Sequence, residues 1–205
     1  MSERSLFLSG LAVGAVVLVV AAVMLSRGSL AGGAAGDGPG PNLVIEVAGQ
    51  ASGTVVIDLD TQNAPNHVRQ IVALAKGGAY DGVVFHRVID GFMAQTGDVQ
   101  YGKAGGDLSQ AGMGGSALSN IAAEFSDVPF ERGTVGMARS SDPDSANSQF
   151  FIMFAPGDFL NGKYTVVGQV ISGMEVVDAI KRGDEAANGV VTGEPDRMVK
   201  VTVQE

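Results

Sequence analysis

The chain has 205 residues, room for one domain with appendages, and its 45% hydrophobic content can fill a sizeable core. The net charge of −9 resides beyond residue 40, since Arg4 and Arg27 balance Glu3 and Asp37 before it, and so acidic a domain should repel phosphate backbones, which argues against nucleic acid as a partner. The absence of cysteine removes disulfides, thiolate catalysis and zinc–thiolate sites together.

Residues 6–25 (LFLSGLAVGAVVLVVAAVML) carry no charge. As a helix they would span roughly 30 Å, the thickness of a hydrocarbon core. A secretory leader has a shorter apolar region, so the length favours an uncleaved anchor, although Ser29-Leu30-Ala31 has the small-residue pattern of a cleavage site. Residues 1–27 are therefore expected to be an anchor or signal segment, with the rest of the chain outside the cytoplasm, periplasmic in a Gram-negative cell. Residues 28–41 (GSLAGGAAGDGPGP) have the composition of a flexible linker. The globular domain is expected over residues 42–205.

That domain opens with two β-branched runs, residues 43–47 and 54–59, joined by a glycine-containing turn that predicts a hairpin. Pro65 opens a helix at a position where its missing N–H is harmless, Val68, Ile71, Val72 and Ala75 recur at helical spacing, and Gly77-Gly78 ends it. Strands are expected over residues 83–89, 92–96, 134–139, 149–154 and 165–171. A second helix is expected over 174–181 and a closing strand over 198–203. Short strands with two helices point to an antiparallel barrel closed on itself and capped at its ends. The glycine-rich residues 102–116 lack the lysine and the strand-to-helix context of a phosphate loop and read as a mobile surface loop. Asp142-Pro143-Asp144 starts like a calcium loop, but the turn glycine and the final glutamate are missing.

Bond-breaking machinery is hard to find. A nucleophile needs a base within reach. His67 falls on the expected solvent side of the first helix, and His86 points away from Arg87 on a regular strand, which makes it structural. No two histidines have metal-ligand spacing, so neither a metal nor a cofactor is expected. What remains is Arg87 among Phe92, Met93, Gln95, Gln149, Phe151 and Phe159, a set that composition alone would assign to core and solvated strand.

Whole motifs change that reading. FHRVIDGFMAQTGD (residues 85–98), MARSSDPDSANSQFFI (137–152) and FLNGKYTVVGQVISGMEVVDAI (159–180) resemble, in order and spacing, three blocks of the cyclophilins, peptidyl-prolyl cis-trans isomerases. The resemblance runs from about residue 42 to residue 203. It implies a closed eight-stranded antiparallel barrel capped by two α-helices. It implies Arg87 as the catalytic arginine, and Phe92, Met93, Phe151 and Leu160 as the walls of a proline pocket. Gln95 and Gln149 would hold the arginine and the substrate backbone, with Ala138, Arg139 and Ser140 along the peptide groove. Phe159 and Tyr164 stand at substrate-contacting positions where many members carry tryptophan and histidine. Asp90 replaces a usual proline, and Arg139 a common asparagine.

The chemistry suits a chain without nucleophile or metal. Rotation about an X–Pro bond faces a barrier of ~18–20 kcal/mol because the imide nitrogen shares its lone pair with the carbonyl. In the twisted transition state that lone pair localises and accepts a hydrogen bond, which a guanidinium supplies selectively. The resemblance thus implies a monomeric isomerase that assists folding of proline-containing polypeptide clients. Cyclosporin is the inhibitor that the family implies, bound weakly because Phe159 has no indole N–H. The alternative is a membrane-tethered module that binds proline segments without turnover; Arg87 argues for the enzyme, since binding alone would not require it. A docking subunit of a membrane complex is the third reading.

Overall fold

Alternating residues in the first two β-branched runs supply one wall of the core. In the computed structural model, which describes residues 36–205, they form β1 (Asn42–Ala48) and β2 (Gly53–Leu59), antiparallel with Asn42 opposite Asp58. Leu43, Ile45 and Val47 on β1 and Val55, Ile57 and Leu59 on β2 are buried, as a period of two requires. Residues 37–41, expected to be linker, are tied to this hairpin. Gly38 N donates to Asp58 Oδ2 at 2.9 Å, and Leu59 N donates to the Pro41 carbonyl at 3.2 Å. The apolar run 6–25 and residues 28–35 lie outside the described residues. Among those described, no helix is long and apolar enough to cross a membrane.

Helix α1 (Pro65–Lys76) begins and ends where proline and glycine predict. Its buried face is rotated from the expected one: His67, Val68, Ile71, Leu74 and Ala75 are covered while Val72 is only half-buried. His67, expected toward solvent, is fully buried. The cause is a carboxylate 57 residues further on: the His67 ring Nδ1 lies 2.6 Å from Glu124 Oε2, and the same carboxylate accepts from the backbone N–H groups of Asn66 and His67. Ala64 has no side-chain oxygen to cap the helix, so Glu124 serves its open N–H groups from outside.

The strand expected over residues 83–89 is two strands. β3 (Val83–Val84) pairs with the last strand, and β4 (Arg87–Ile89) pairs with β5 (Met93–Thr96). Between them, Phe85 N donates to the Asp196 carbonyl at 2.8 Å, just ahead of the last strand. The remaining strands are β6 (Thr134–Met137), β7 (Phe150–Met153), β8 (Val166–Ser172) and β9 (Arg197–Gln204), with α2 (Met174–Ala179) between β8 and β9. All neighbours are antiparallel, in the order β3-β9-β1-β2-β8-β6-β7-β5-β4. The sheet is therefore nine-stranded with two ends, rather than the closed eight-stranded barrel expected. The interruption at Phe85-His86 makes the ninth strand and puts one half of that stretch at each end of the sheet.

Helix α1 packs on β9 and α2 on β2. The largest apolar cluster fills the space that they cover. A second, smaller cluster of Met93, Phe130, Phe151, Met153, Leu160 and Val166 lies apart from it. Strand β7 feeds both: Phe150 and Ile152 belong to the main core, Phe151 and Met153 to the smaller cluster. A strand buried on both faces is how one short segment can support the fold with one face and a binding site with the other.

Candidate functional site

Strand register lines up four residues across one patch of the sheet. Arg87 on β4 is opposite Gln95 on β5, Gln95 is opposite Phe151 on β7, and Phe151 is opposite Gly136 on β6. Gly136 is needed there for its size. A Cβ would fall 2.5 Å from Phe151 Cζ and 2.6 Å from Phe130 Cε1, where those two rings stack with centroids 5.8 Å apart. The Tyr164 ring meets Phe151 edge-on at 6.0 Å, and Phe159 lies against Phe92 at 5.4 Å.

These residues enclose a pocket of about 260 Å³ lined by Arg87, Phe92, Met93, Gln95, Ala138, Arg139, Phe151, Phe159, Leu160 and Tyr164. Met93, Phe151 and Leu160 form its buried floor, while Phe159 stands 61% exposed at the mouth. Ser140 and Gln149, the other two residues singled out from the sequence, lie in an adjoining cavity of about 330 Å³ that shares Gln95, Ala138 and Arg139. Arg139 sits where both cavities share a wall. Its guanidinium lies 4.3 Å over the Tyr164 ring and donates to the carbonyls of Ser140 and Lys163 at 2.9 and 2.8 Å.

Arg87 ends a chain of hydrogen bonds with a defined polarity. Gln149 Nε2 donates to the carbonyls of Gly112 and Gly114 at 3.0 and 2.7 Å, which uses its amide hydrogens and turns its Oε1 toward Gln95. Gln95 Nε2 donates to that oxygen at 2.9 Å, so Gln95 Oε1 faces Arg87 and accepts from Nη1 at 3.1 Å. The two glycines are fixed in turn by Asp98, a fully buried carboxylate whose Oδ2 accepts from Gly112 N at 2.7 Å and Gly114 N at 2.9 Å. The loop over residues 102–116, read from sequence as mobile, is thus pinned at the end that touches the site.

On its other side Arg87 donates to Asn188, from Nε to the backbone carbonyl and from Nη2 to the side-chain oxygen, both at 3.0 Å. Three of its five N–H bonds are thereby used, leaving one on each terminal nitrogen. Partial burial lowers the guanidinium from its ordinary value, countered in part by Tyr164. His86 is buried beside this region, and burial pushes its pKa down to about 4. It is a neutral packing residue beneath Gly112 at neutral pH. Sequence reasoning missed Asn188, Asp98, Phe130 and Gly136. Asp98 ends the first of the three motifs and Asn188-Gly189 is a turn signal, while Phe130 and Gly136 carried no mark.

Nothing in this arrangement activates a nucleophile. It offers an apolar slot, one fixed guanidinium in its wall and a groove that continues from it, which makes this a mainly β protein with an open binding groove. More particularly, the chain belongs to the cyclophilin type peptidyl-prolyl cis-trans isomerases, whose family model matches residues 43–203. It is similar to a probable peptidyl-prolyl cis-trans isomerase of Brucella suis, 53% identical over 184 residues, or 89% of this chain and 91% of the relative. A peptidyl-prolyl cis-trans isomerase of Acinetobacter baylyi is 36% identical over 73% of this chain and 78% of the relative. Among solved structures it is similar to a cyclophilin from Hirschia baltica, with a TM-score of 0.64, 26% identity, and 78% of this chain and 73% of that one covered. A Cryptosporidium parvum cyclophilin crystallised in the presence of the dipeptide Ala-Pro shares the fold at a TM-score of 0.66 and 23% identity, over 80% of this chain and 99% of that one.

Proposed function

We propose that this cyclophilin accelerates cis–trans rotation of X–Pro bonds in polypeptide clients and so assists their folding. The observation that carries the reading is Arg87: its guanidinium is clamped from two sides beside an apolar pocket and keeps an N–H free on each terminal nitrogen. The proline ring enters the slot formed by Phe92, Met93, Phe151 and Leu160, with Phe159 and Tyr164 at its rim. Ala138, Arg139 and Ser140 hold the client backbone, with Gln95 and Gln149 fixing both the arginine and the chain. As the carbonyl side turns, the imide lone pair localises on nitrogen and accepts a hydrogen bond from Arg87. That bond is stronger in the transition state than in either planar ground state, which is what lowers the barrier. No metal or cofactor takes part in this scheme.

The ends of the sheet, β3 and β4, are two residues apart in the chain, which supports reading the sheet as a barrel closed through that one interrupted strand, eight strands when the two halves count as one. Residues 6–25 are read as a membrane anchor and residues 28–41, fastened to the first hairpin from Gly38 onward, as the linker that carries a monomeric domain, residues 42–205, outside the cytoplasm, in the periplasm of a Gram-negative cell. The clients are then exported or envelope proteins. The acidic charge speaks against nucleic acid.

Catalysis is tested by NMR exchange on an Ala-Pro-Phe peptide with a small amount of full-length protein. Cis and trans signals that exchange far faster than the uncatalysed roughly 10–100 s support the enzyme. Peptide binding without exchange would leave only a binding module. Location is tested separately by membrane fractionation with protease added from outside the cytoplasm; a domain that stays protected, or a chain that is not in membranes, overturns the topology.

A further inference from the structure

Arg87 meets one residue that no motif of the sequence brings to it. Asn188 ends the short 3₁₀ turn Glu185–Ala187 in a left-handed conformation (φ 55°, ψ 38°), the one positive-φ residue other than glycine among those described. In that conformation its carbonyl and its side-chain oxygen reach the same partner. Arg87 Nε donates to Asn188 O and Nη2 to Asn188 Oδ1, each at 3.0 Å. Nε–H and the neighbouring Nη2–H form one edge of the guanidinium, the fork that elsewhere grips a carboxylate. Here two neutral oxygens of a single residue fill it.

The loop that carries Asn188 is fastened to the sheet without using the Arg87 side chain. Val88 N donates to the Gly189 carbonyl at 2.7 Å, Gly183 N to the Val88 carbonyl at 2.9 Å and Val191 N to the His86 carbonyl at 3.0 Å. The approach is close: a Cβ on Gly189 would lie 2.4 Å from Ile89 Cγ1. Backbone bonds to β4 and its neighbours therefore place Asn188, and Asn188 in turn orients the guanidinium. Gln95 alone would not do so, because one hydrogen bond leaves the planar group free to swing about it.

We propose that Asn188 is a positioning residue for the isomerisation, clamping the Nε–Nη2 edge of Arg87 with uncharged acceptors so that the remaining terminal donors face the pocket at full positive charge. The inference rests on the isomerase reading of Arg87. Asparagine suits both demands: it enters the left-handed region more readily than most side chains, and its oxygen accepts without neutralising the cation. An aspartate would grip the same edge but pair with the charge. A glycine would keep the backbone and its carbonyl but drop one acceptor.

The test uses the full-length protein and its Asn188→Gly and Asn188→Asp variants, with kcat and peptide Kd measured separately by NMR on Ala-Pro-Phe and folding checked by circular dichroism. Asn188→Gly keeps the favoured backbone and is expected to fold. Its kcat should fall about three- to tenfold, the effect of one hydrogen bond, while Kd stays within about twofold. Asn188→Asp should not recover the rate although it restores an acceptor, which separates orientation of a charged donor from a purely structural role. Full kcat in Asn188→Gly, or a normal rate in Asn188→Asp, would overturn the inference while leaving the isomerase reading intact. No exchange by the unmodified protein would sink both.

Discussion

Arg87 and Gln95 face each other across β4 and β5, with Arg87 Nη1 donating to Gln95 Oε1 at 3.1 Å. Removing the guanidinium removes a donor that acts mainly in the transition state. Arg87→Ala should therefore lose about 10²–10³ in kcat, roughly 3–4 kcal/mol, with a smaller change in peptide affinity. Arg87→Lys should recover only part, because one ammonium cannot reach Gln95, both oxygens of Asn188 and the pocket together. NMR exchange on the folded variants decides it, and full turnover in Arg87→Ala would refute the mechanism.

Phe159 offers cyclosporin a ring but no N–H. It is 61% exposed at the pocket mouth, which leaves space for a larger side chain. The unmodified protein should bind cyclosporin weakly, and Phe159→Trp should bind it more tightly by about 1–3 kcal/mol, the worth of a restored donor. Calorimetric titration of both proteins makes the comparison; tight binding by the unmodified protein would contradict it.

Turnover and stability should respond differently to pH. The mechanism uses no titrating acid or base, so exchange should be nearly flat from about pH 6 to 9. Stability should fall in acid because burial holds His86 at about 4, below the ordinary 6.5. Between those values the unfolded chain binds a proton that the folded one does not. Stability from this residue is thus complete above about pH 6.5 and is lost as pH falls toward 4, roughly 3 kcal/mol in all. Urea unfolding of the protein and of His86→Leu across that window should show a shallower pH slope in the variant.

Glu124 should matter for stability and not for turnover. Burial pushes its carboxyl up, but the bonds from His67 and Asn66 outweigh this and hold it below the usual carboxylate range. Glu124→Ala would strip the start of α1 of its outside cap and leave the His67 ring buried without a partner, a loss of about 1–3 kcal/mol. Thermal unfolding should show that loss, while peptide exchange by the folded variant stays at the parent rate.

The end of the linker can be located by truncation. Chains beginning at residue 36 or at residue 42 should both fold and turn over peptide. The shorter one lacks the bonds from Gly38 to Asp58 and from Leu59 to Pro41 and should be less stable by about 1–2 kcal/mol. Equal denaturation midpoints would show that residues 37–41 contribute nothing.

The first hairpin, the limits of α1 and, through three separated motifs, the side chains that gather at the pocket were all legible along the chain. Period-two patterns record which face of a strand is buried, proline and glycine mark where a helix starts and stops, and the motifs preserve the order of the site residues along the chain. Tertiary structure alone decided the rest. Phe85-His86 interrupts a run of strand-forming residues because Phe85 finds a backbone partner before β9, 111 positions away. His67 is buried because Glu124 arrives from a distant loop, and Arg87 is aimed by Asn188 and by an amide chain whose direction Gly112 and Gly114 impose. Hydrogen-bond partners of this kind depend on where loops close in space, and periodicity along a chain carries no record of that.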